Sequence, residues 1–367
     1  MDHGMNGRMD HRSRRERLGE RLVLLELDVL IVTRLPNVRY LTGFMGSNAQ
    51  VVVARDGSGV FLTDGRYEQQ ATHEVPDLDR YAYRQGYPRP LLDACGALNA
   101  ARAGFERRGL TFDDWTQLGD SADGLELVPA GPEVEALRRV KDADELELIG
   151  RAQRFTDDVF ERVVLNGGLR AGVTERQLAC RMEIAMLDAG TERAFEPIVA
   201  FGAHAAEPHH HPTDRELMSG DVVKLDFGAL ADGYHSDMTR TVAFGEPDPR
   251  LREIRDVVAA ANGAGIDAVR PGASTVEVDA AARAVVADAG FGDAFPHGLG
   301  HGVGLEIHED PFLRWHGGVK LEEGMVVTVE PGVYIPGLGG VRIEDMVEVT
   351  ADGGRPMPRS PKELIVL

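Results

Sequence analysis

Two stretches of this sequence repeat one plan at an offset of 100 residues, from Arg170 to Arg270, and no other feature limits the fold as strongly. The first reads Arg170-Ala-Gly-Val-Thr-Glu-Arg-Gln and ends in Asp188-Ala-Gly190. The second reads Arg270-Pro-Gly-Ala-Ser-Thr-Val-Glu and ends in Asp288-Ala-Gly290. Each holds a hydroxyl residue three places before an acid or amide, Thr174 with Gln177 and Ser274 with Glu277. That pairing satisfies the free N–H groups at a helix start. Each helix then stops at glycine, which tolerates the left-handed backbone of a helix end. A strand carrying an acid follows in both copies. Gly220-Asp-Val-Val-Lys-Leu-Asp226-Phe-Gly228 parallels Gly324-Met-Val-Val-Thr-Val-Glu330-Pro-Gly332, and the acid stands six residues after the first glycine each time. Duplicated units stack to bury a shared core. The expectation is a pseudo-twofold α+β domain with a site between its halves.

The acids themselves demand an explanation. Asp226 sits among Val222, Val223, Leu225 and Phe227, and carboxylates are seldom buried without a partner. Ala231-Asp-Gly233 is a hairpin turn signal. Folding the chain there sets Asp237 nearly opposite Asp226. A second hairpin centred on Gly337 sets Glu344 opposite Glu330. Like charges facing across strands repel, so two such pairs call for compensating positive charge, and divalent cations supply it economically. Exposed strand acids in a different register are the plainer alternative.

The histidines weigh against that alternative. Pro296-His-Gly-Leu-Gly-His301-Gly-Val-Gly-Leu-Glu-Ile-His308-Glu holds three histidines in twelve residues. Glycine at 298, 300, 302 and 304 makes a helix improbable. A close-packed strand or loop beside the carboxylates is expected, with the imidazoles serving as metal or transition-state groups. A second group, Pro208-His-His-His-Pro212, precedes the Asp226 strand closely enough to reach the same cleft. Oxygen-rich sites with one imidazole suit Mn²⁺, Co²⁺, Fe²⁺ or Zn²⁺; manganese is the expected ion because carboxylates dominate.

Upstream of the repeat, residues 1 to about 132 alternate helix and strand signals: a basic helix over residues 12–27, a strand over 29–33, then strands over 50–54 and 60–63. Pro129, Gly131 and Pro132 break the pattern, and a charged helix is expected over 133–165. This divides the chain into domains at 1–132 and 133–367. Residues 1–21 are rich in arginine and precede a mostly apolar run, but Glu26 and Asp28 interrupt it and no small-residue cleavage site follows, against a signal peptide. No other apolar run approaches the ~20 residues a membrane span needs. The formal charge of −20 repels phosphate backbones, which argues against a nucleic-acid partner. Two distant cysteines, Cys95 and Cys180, fit a reducing, cytoplasmic setting without a disulfide framework.

Five segments, namely Lys224-Leu-Asp-Phe-Gly-Ala, Ser236-Asp-Met-Thr-Arg-Thr, His297-Gly-Leu-Gly-His-Gly-Val-Gly-Leu, Thr328-Val-Glu-Pro-Gly and Gly340-Val-Arg-Ile-Glu-Asp, resemble the pita-bread metallopeptidases of family M24. Within that family the likeness is to the Xaa-Pro dipeptidase (prolidase) and aminopeptidase P group. Asn37-Val-Arg-Tyr-Leu-Thr-Gly-Phe and Thr63-Asp-Gly-Arg-Tyr look like the group's smaller α/β creatinase-like N-terminal domain. The resemblance implies hydrolysis of Xaa-Pro bonds in peptides or dipeptides by a hydroxide bridging two divalent metals. It makes Asp226, Asp237, His301, Glu330 and Glu344 the metal ligands. Glu330 also carries the proton of the water. His209 and His308 flank the scissile carbonyl, His297 lines the proline pocket, and Arg342 lines the substrate site while orienting the ligands. A homodimer is expected on the same ground. Proline's nitrogen lacks the N–H that ordinary peptidases grip, so a pocket shaped to its ring must replace that contact. A methionine aminopeptidase is disfavoured by the long N-terminal region, and a creatinase by the complete ligand set. A non-catalytic peptide-binding member of the fold is the alternative from another class. Arg314 is a candidate for capturing a substrate carboxylate.

Overall fold

The computed structural model describes residues 9–84 and 86–367; residues 1–8 of the arginine-rich start lie outside them. The chain divides into two compact units after Arg138, six residues beyond the expected boundary. The reason is the short helix Glu133–Arg138, which packs on the first helix, His11–Leu24. Arg21 Nε bonds the Glu133 carboxylate there at 2.7 Å. The expected helix over 133–165 is therefore broken. Asp142 caps a new helix, Ala143–Val159, by a reciprocal exchange with Glu145. The chain then widens into a π-helical segment, Phe160–Gly168, where Gly167 turns to φ 101°.

The first unit is a six-stranded mixed sheet with helices. Its central strand, Val29–Val32, pairs antiparallel with Ala49–Ala54 and parallel with Arg102–Glu106. The preceding helix ends at Leu24, short of the expected residue 27, because Glu26 takes a left-handed conformation at φ 56°. Val29, Ile31, Val52, Leu62 and Leu91 form its core.

The second unit carries the duplication into three dimensions. Thr174 and Ser274 both cap their helices, Glu175–Asp188 and Thr275–Asp288, in the expected reciprocal manner. Gly172 and Gly272 both adopt positive φ, and donate to Leu217 and Leu321 carbonyls. Gly190 and Gly290 end the two helices with φ of 79° and 83°. Each half builds its own core. Leu178, Met182, Phe201, Leu225 and Phe227 pack in one; Val278, Ala282, Leu299, Val327 and Val329 pack in the other. Removing each of the valine, leucine, methionine and phenylalanine side chains from water contributes about 1.5–3 kcal/mol, so each half has a stable platform for its acids. None of the helices among the described residues is long and apolar enough to cross a membrane.

Candidate metal centre and catalytic cleft

Glu330 and Glu344 occupy the place where two strand ladders break. Val326–Val329 pairs with Asp345–Thr350, Val329 facing Asp345. Three residues further on, Gly332 faces Arg342 in the next ladder, Gly332–Ile335 against Gly339–Arg342. Glu330 and Glu344 fall at facing positions in the gap. The expected opposition about Gly337 is therefore right in register.

The first hairpin differs from expectation. Asp226 faces Thr239, not Asp237. The turn is Asp232-Gly233, both left-handed at φ 49° and 79°, as a two-residue type I′ hairpin requires. Its centre lies one residue later than the composition suggested, so Asp237 lies opposite Gly228. A slip of two residues preserves the face of the sheet, and Asp237 still turns into the cleft beside Asp226.

His301 lies within Gly300–Gly302, a strand as expected. Its glycines permit the close approach of neighbours: a Cβ at Gly300 would stand 2.0 Å from the Thr328 carbonyl oxygen. His301 Nδ1 donates to the Gly302 carbonyl at 3.1 Å, which leaves Nε2, 3.3 Å from Glu330 and 3.6 Å from Asp237, as the nitrogen whose lone pair a cation would take. One ligand atom each from Asp237, His301 and Glu344 lie within 4.8 Å of one another, all three residues buried.

These acids cannot all be ionised unaided. Burial, then the charge of Glu344, holds Asp237 well above the usual carboxylate range. Burial, then Glu330 and Asp226, does the same to Glu344. Burial also raises Asp226, against the pull of Arg342. Burial pushes Glu330 upward, but its bond to His301 and the charges of His301, His297 and Arg342 outweigh that and bring it to about 2. One further observation tests whether cations fit. Asp226 Oδ1 is buried without a hydrogen-bond partner among the described residues. A buried carboxylate oxygen with no donor is costly. With hard oxygen donors around it and an imidazole lone pair opposite, the place suits divalent cations.

The cleft over this cluster has a volume of ≈ 630 Å³. His209, His297 and His308 all line it, as do Arg314 and Trp315. His308 stacks edge-to-face on His301 at 4.3 Å between ring centres. Burial, then the charge of His301, lowers its pKa to about 4. His297 Nδ1 donates to the Gly298 carbonyl at 2.8 Å, so its Nε2 accepts from the Tyr334 hydroxyl at 3.0 Å. Arg342 is buried, and each of its three nitrogens donates to the protein. Nε bonds Thr239 Oγ1 at 2.9 Å, Nη1 bonds the Tyr334 hydroxyl at 2.9 Å and the Pro208 carbonyl at 3.2 Å, and Nη2 bonds Asp226. Thr239 in turn donates to Glu344 at 2.7 Å. Arg342 thus braces two acids from two hairpins.

Of the three adjacent histidines, His209 and His211 are exposed and line the cleft, and His211 Nδ1 lies 3.8 Å from Glu196. His210 is buried, its Nδ1 2.8 Å from Glu207 and its Nε2 2.9 Å from Glu175. Glu175 also accepts from Phe201 N, from Thr213 N and Oγ1, and from His204. With its oxygens so occupied, Glu175 is a hydrogen-bond hub for the loop, although Glu175, His204 and His210 lie close enough together to resemble a second metal site. Sequence reasoning missed Tyr334, Thr239, Lys224 and Glu175. Each acts through a partner remote in sequence, and only the alternation placing Thr239 and Tyr334 on their strands hinted at any of them.

Comparison with known proteins places this geometry in context. The sequence model of metallopeptidase family M24 matches residues 147–351. That of the creatinase/prolidase N-terminal domain matches residues 14–140. The uncharacterized peptidase YqhT of Bacillus subtilis is 39% identical over 344 residues, covering 94% of this chain and 97% of that protein. The Xaa-Pro dipeptidase of Pyrococcus furiosus is 33% identical, covering 92% of this chain and 95% of its own. The solved structure of an Xaa-Pro dipeptidase from Bacillus anthracis superposes with a TM-score of 0.94 at 35% identity, covering 98% of this chain and all of its own.

Proposed function

The chain belongs to metallopeptidase family M24, with a creatinase-like N-terminal domain before a pita-bread domain, and from that membership we propose that it hydrolyses Xaa-Pro bonds. Residues 139–367 carry the catalysis in this reading. Asp226, Asp237, His301, Glu330 and Glu344 hold two divalent cations, manganese being the ion we expect. The observation that carries the reading is the unpartnered Asp226 oxygen within a buried cluster of four acids and one imidazole lone pair. Bound there, divalent cations supply the positive charge that acidifies water and polarises a carbonyl near neutral pH.

The protein's own groups do the rest. Glu330, held ionised by His301, accepts the proton of the attacking water and delivers it to the proline nitrogen as the C–N bond breaks. His209 and His308 donate hydrogen bonds to the carbonyl oxygen as it gains charge. His308 is neutral near pH 7 and acts as a dipole there. His297, fixed in one tautomer by Gly298 and Tyr334, shapes the wall for the proline ring. Arg342 orients Asp226 and, through Thr239, Glu344. A homodimer in the cytoplasm extends the reading, on family likeness.

Arg314 is an exposed cation on the cleft wall with its guanidinium 5.2 Å from the Phe312 ring centre. A free carboxylate of a dipeptide suits it, so we expect dipeptides to be the better substrates. Purified protein supplied with Mn²⁺ should cleave Ala-Pro faster than Ala-Pro-Ala and leave Ala-Ala nearly untouched. Metal-loaded protein that leaves both Ala-Pro and Ala-Pro-Ala intact would refute the reading. Faster cleavage of Ala-Pro-Ala would refute only the dipeptide preference.

A further inference from the structure

Lys224 is wholly buried in the strand Asp221–Phe227, two residues before Asp226. A buried amino group is costly unless its N–H donors find acceptors. Here they find backbone. Nζ donates to the Glu207 carbonyl and lies 3.4 Å from the Pro208 carbonyl oxygen. Arg342 Nη1 reaches the same Pro208 oxygen at 3.2 Å. Two donor side chains from different hairpins thus converge on the two carbonyls that precede His209. Just beyond His209, His210 is pinned between Glu207 and Glu175. The loop is therefore fixed on both sides of one exposed imidazole. The ring of Tyr334, 5.1 Å from Nζ, closes the remaining side of Lys224.

We infer that Lys224 is a positioning residue, which fixes the direction of the His209 imidazole through the backbone carbonyls of Glu207 and Pro208. The inference rests on the Xaa-Pro reading above and adds a residue that touches neither substrate nor cation. The effect belongs to its hydrogen bonds. Without them, the peptide bonds before His209 keep only Arg342 as a partner and rotate, and the imidazole loses its aim at the carbonyl. A contact realised chiefly in the transition state is weakened, so turnover falls while substrate binding changes little.

The test is a double-mutant cycle on Ala-Pro hydrolysis, with bound metal measured for every variant. Lys224→Met keeps the length of the side chain and removes the donor. Expected is a loss of kcat of tenfold or more, with KM within about twofold and full metal content. In a His209→Ala background the same change should cost less than about twofold, because the group it positions is gone. A structural role alone would lower both backgrounds equally. Should Lys224→Met not fold, Lys224→Gln, with one amide donor on a shorter stem, enters the same cycle with an intermediate loss expected. Unchanged kcat in the Lys224 variant, or equal losses in both backgrounds, overturns the inference while leaving the Xaa-Pro reading intact. Wild-type protein inactive on both Ala-Pro and Ala-Pro-Ala would overturn both.

Discussion

The hydroxyl of Tyr334 lies 3.0 Å from Nε2 of His297 while accepting Arg342 Nη1 at 2.9 Å. One oxygen thereby couples a wall of the substrate cleft to the arginine that braces Asp226. Burial pushes this phenol up to about 12, so it keeps its proton and donates it to the imidazole. Tyr334→Phe removes that donor and leaves a buried nitrogen unsatisfied, at a cost of about 1–3 kcal/mol. We expect kcat/KM on Ala-Pro to fall about tenfold or more, with bound metal largely retained. Unaltered kinetics in a folded Tyr334→Phe variant would show that His297 needs no such anchor.

Loading the metal centre should release protons. Burial and neighbouring acids hold Asp237 and Glu344 well above the usual carboxylate range, and ligand oxygens must be free of protons to bind a cation. Titrating Mn²⁺ into metal-free protein in weak buffer near pH 7 should acidify the solution. It should also raise the unfolding temperature, since a cation at a hundred times its Kd adds about 2.7 kcal/mol. His301→Ala should abolish the uptake and the turnover together. Binding at this site without proton release would contradict the crowded-carboxylate account.

Much of this site could be read before any coordinates, and the second hairpin shows why. Glu330 and Glu344 are equidistant from Gly337, so counting outward from a glycine turn was enough. In the first hairpin the turn centre was misplaced by one residue, and Asp226 faces Thr239 instead of Asp237. The error kept parity, and so kept Asp237 on the correct face. What stayed hidden has another character. Lys224 on a loop carbonyl, Glu175 under His210 and Tyr334 against His297 are contacts between single residues of remote segments. No spacing or period announces them. The units divide six residues past 132 for a related reason: the prolines mark where a strand ends, but the packing of Glu133–Arg138 on the first helix decides which unit owns it.

A buried ion pair supports the segment that carries His308. Lys141 Nζ lies 2.6 Å from Glu309, with both side chains nearly inaccessible. Removing one partner of a buried ion pair typically costs about 3–5 kcal/mol, whereas replacing both by apolar residues can be nearly neutral. Lys141→Met should therefore lower unfolding stability in urea by that amount, and Lys141→Met with Glu309→Leu should recover most of it. Equal destabilisation by the single and double variants would show that packing, not charge, dominates here.

Stability should fall in mild acid because of His11 in the first unit. Its Nδ1 donates to the Tyr40 carbonyl at 3.0 Å, and its Nε2 is buried without a hydrogen-bond partner among the described residues. Burial, aided by the charges of Arg14 and Arg15 and opposed by the Tyr40 bond, lowers its pKa to about 4. The unfolded chain therefore binds the proton first as pH drops, near the ordinary value of about 6.5, while the folded protein resists it down to about 4. The unfolded state holds more protons across that window, so stability rises with pH there and is lost on acidification. Between pH 7 and pH 5 this single site should cost about 2 kcal/mol. His11→Gln abolishes the titration, and the difference in urea stability between wild type and variant should shift by that amount over the same interval. A difference independent of pH would mean that His11 titrates alike in both states and that its buried nitrogen is hydrated.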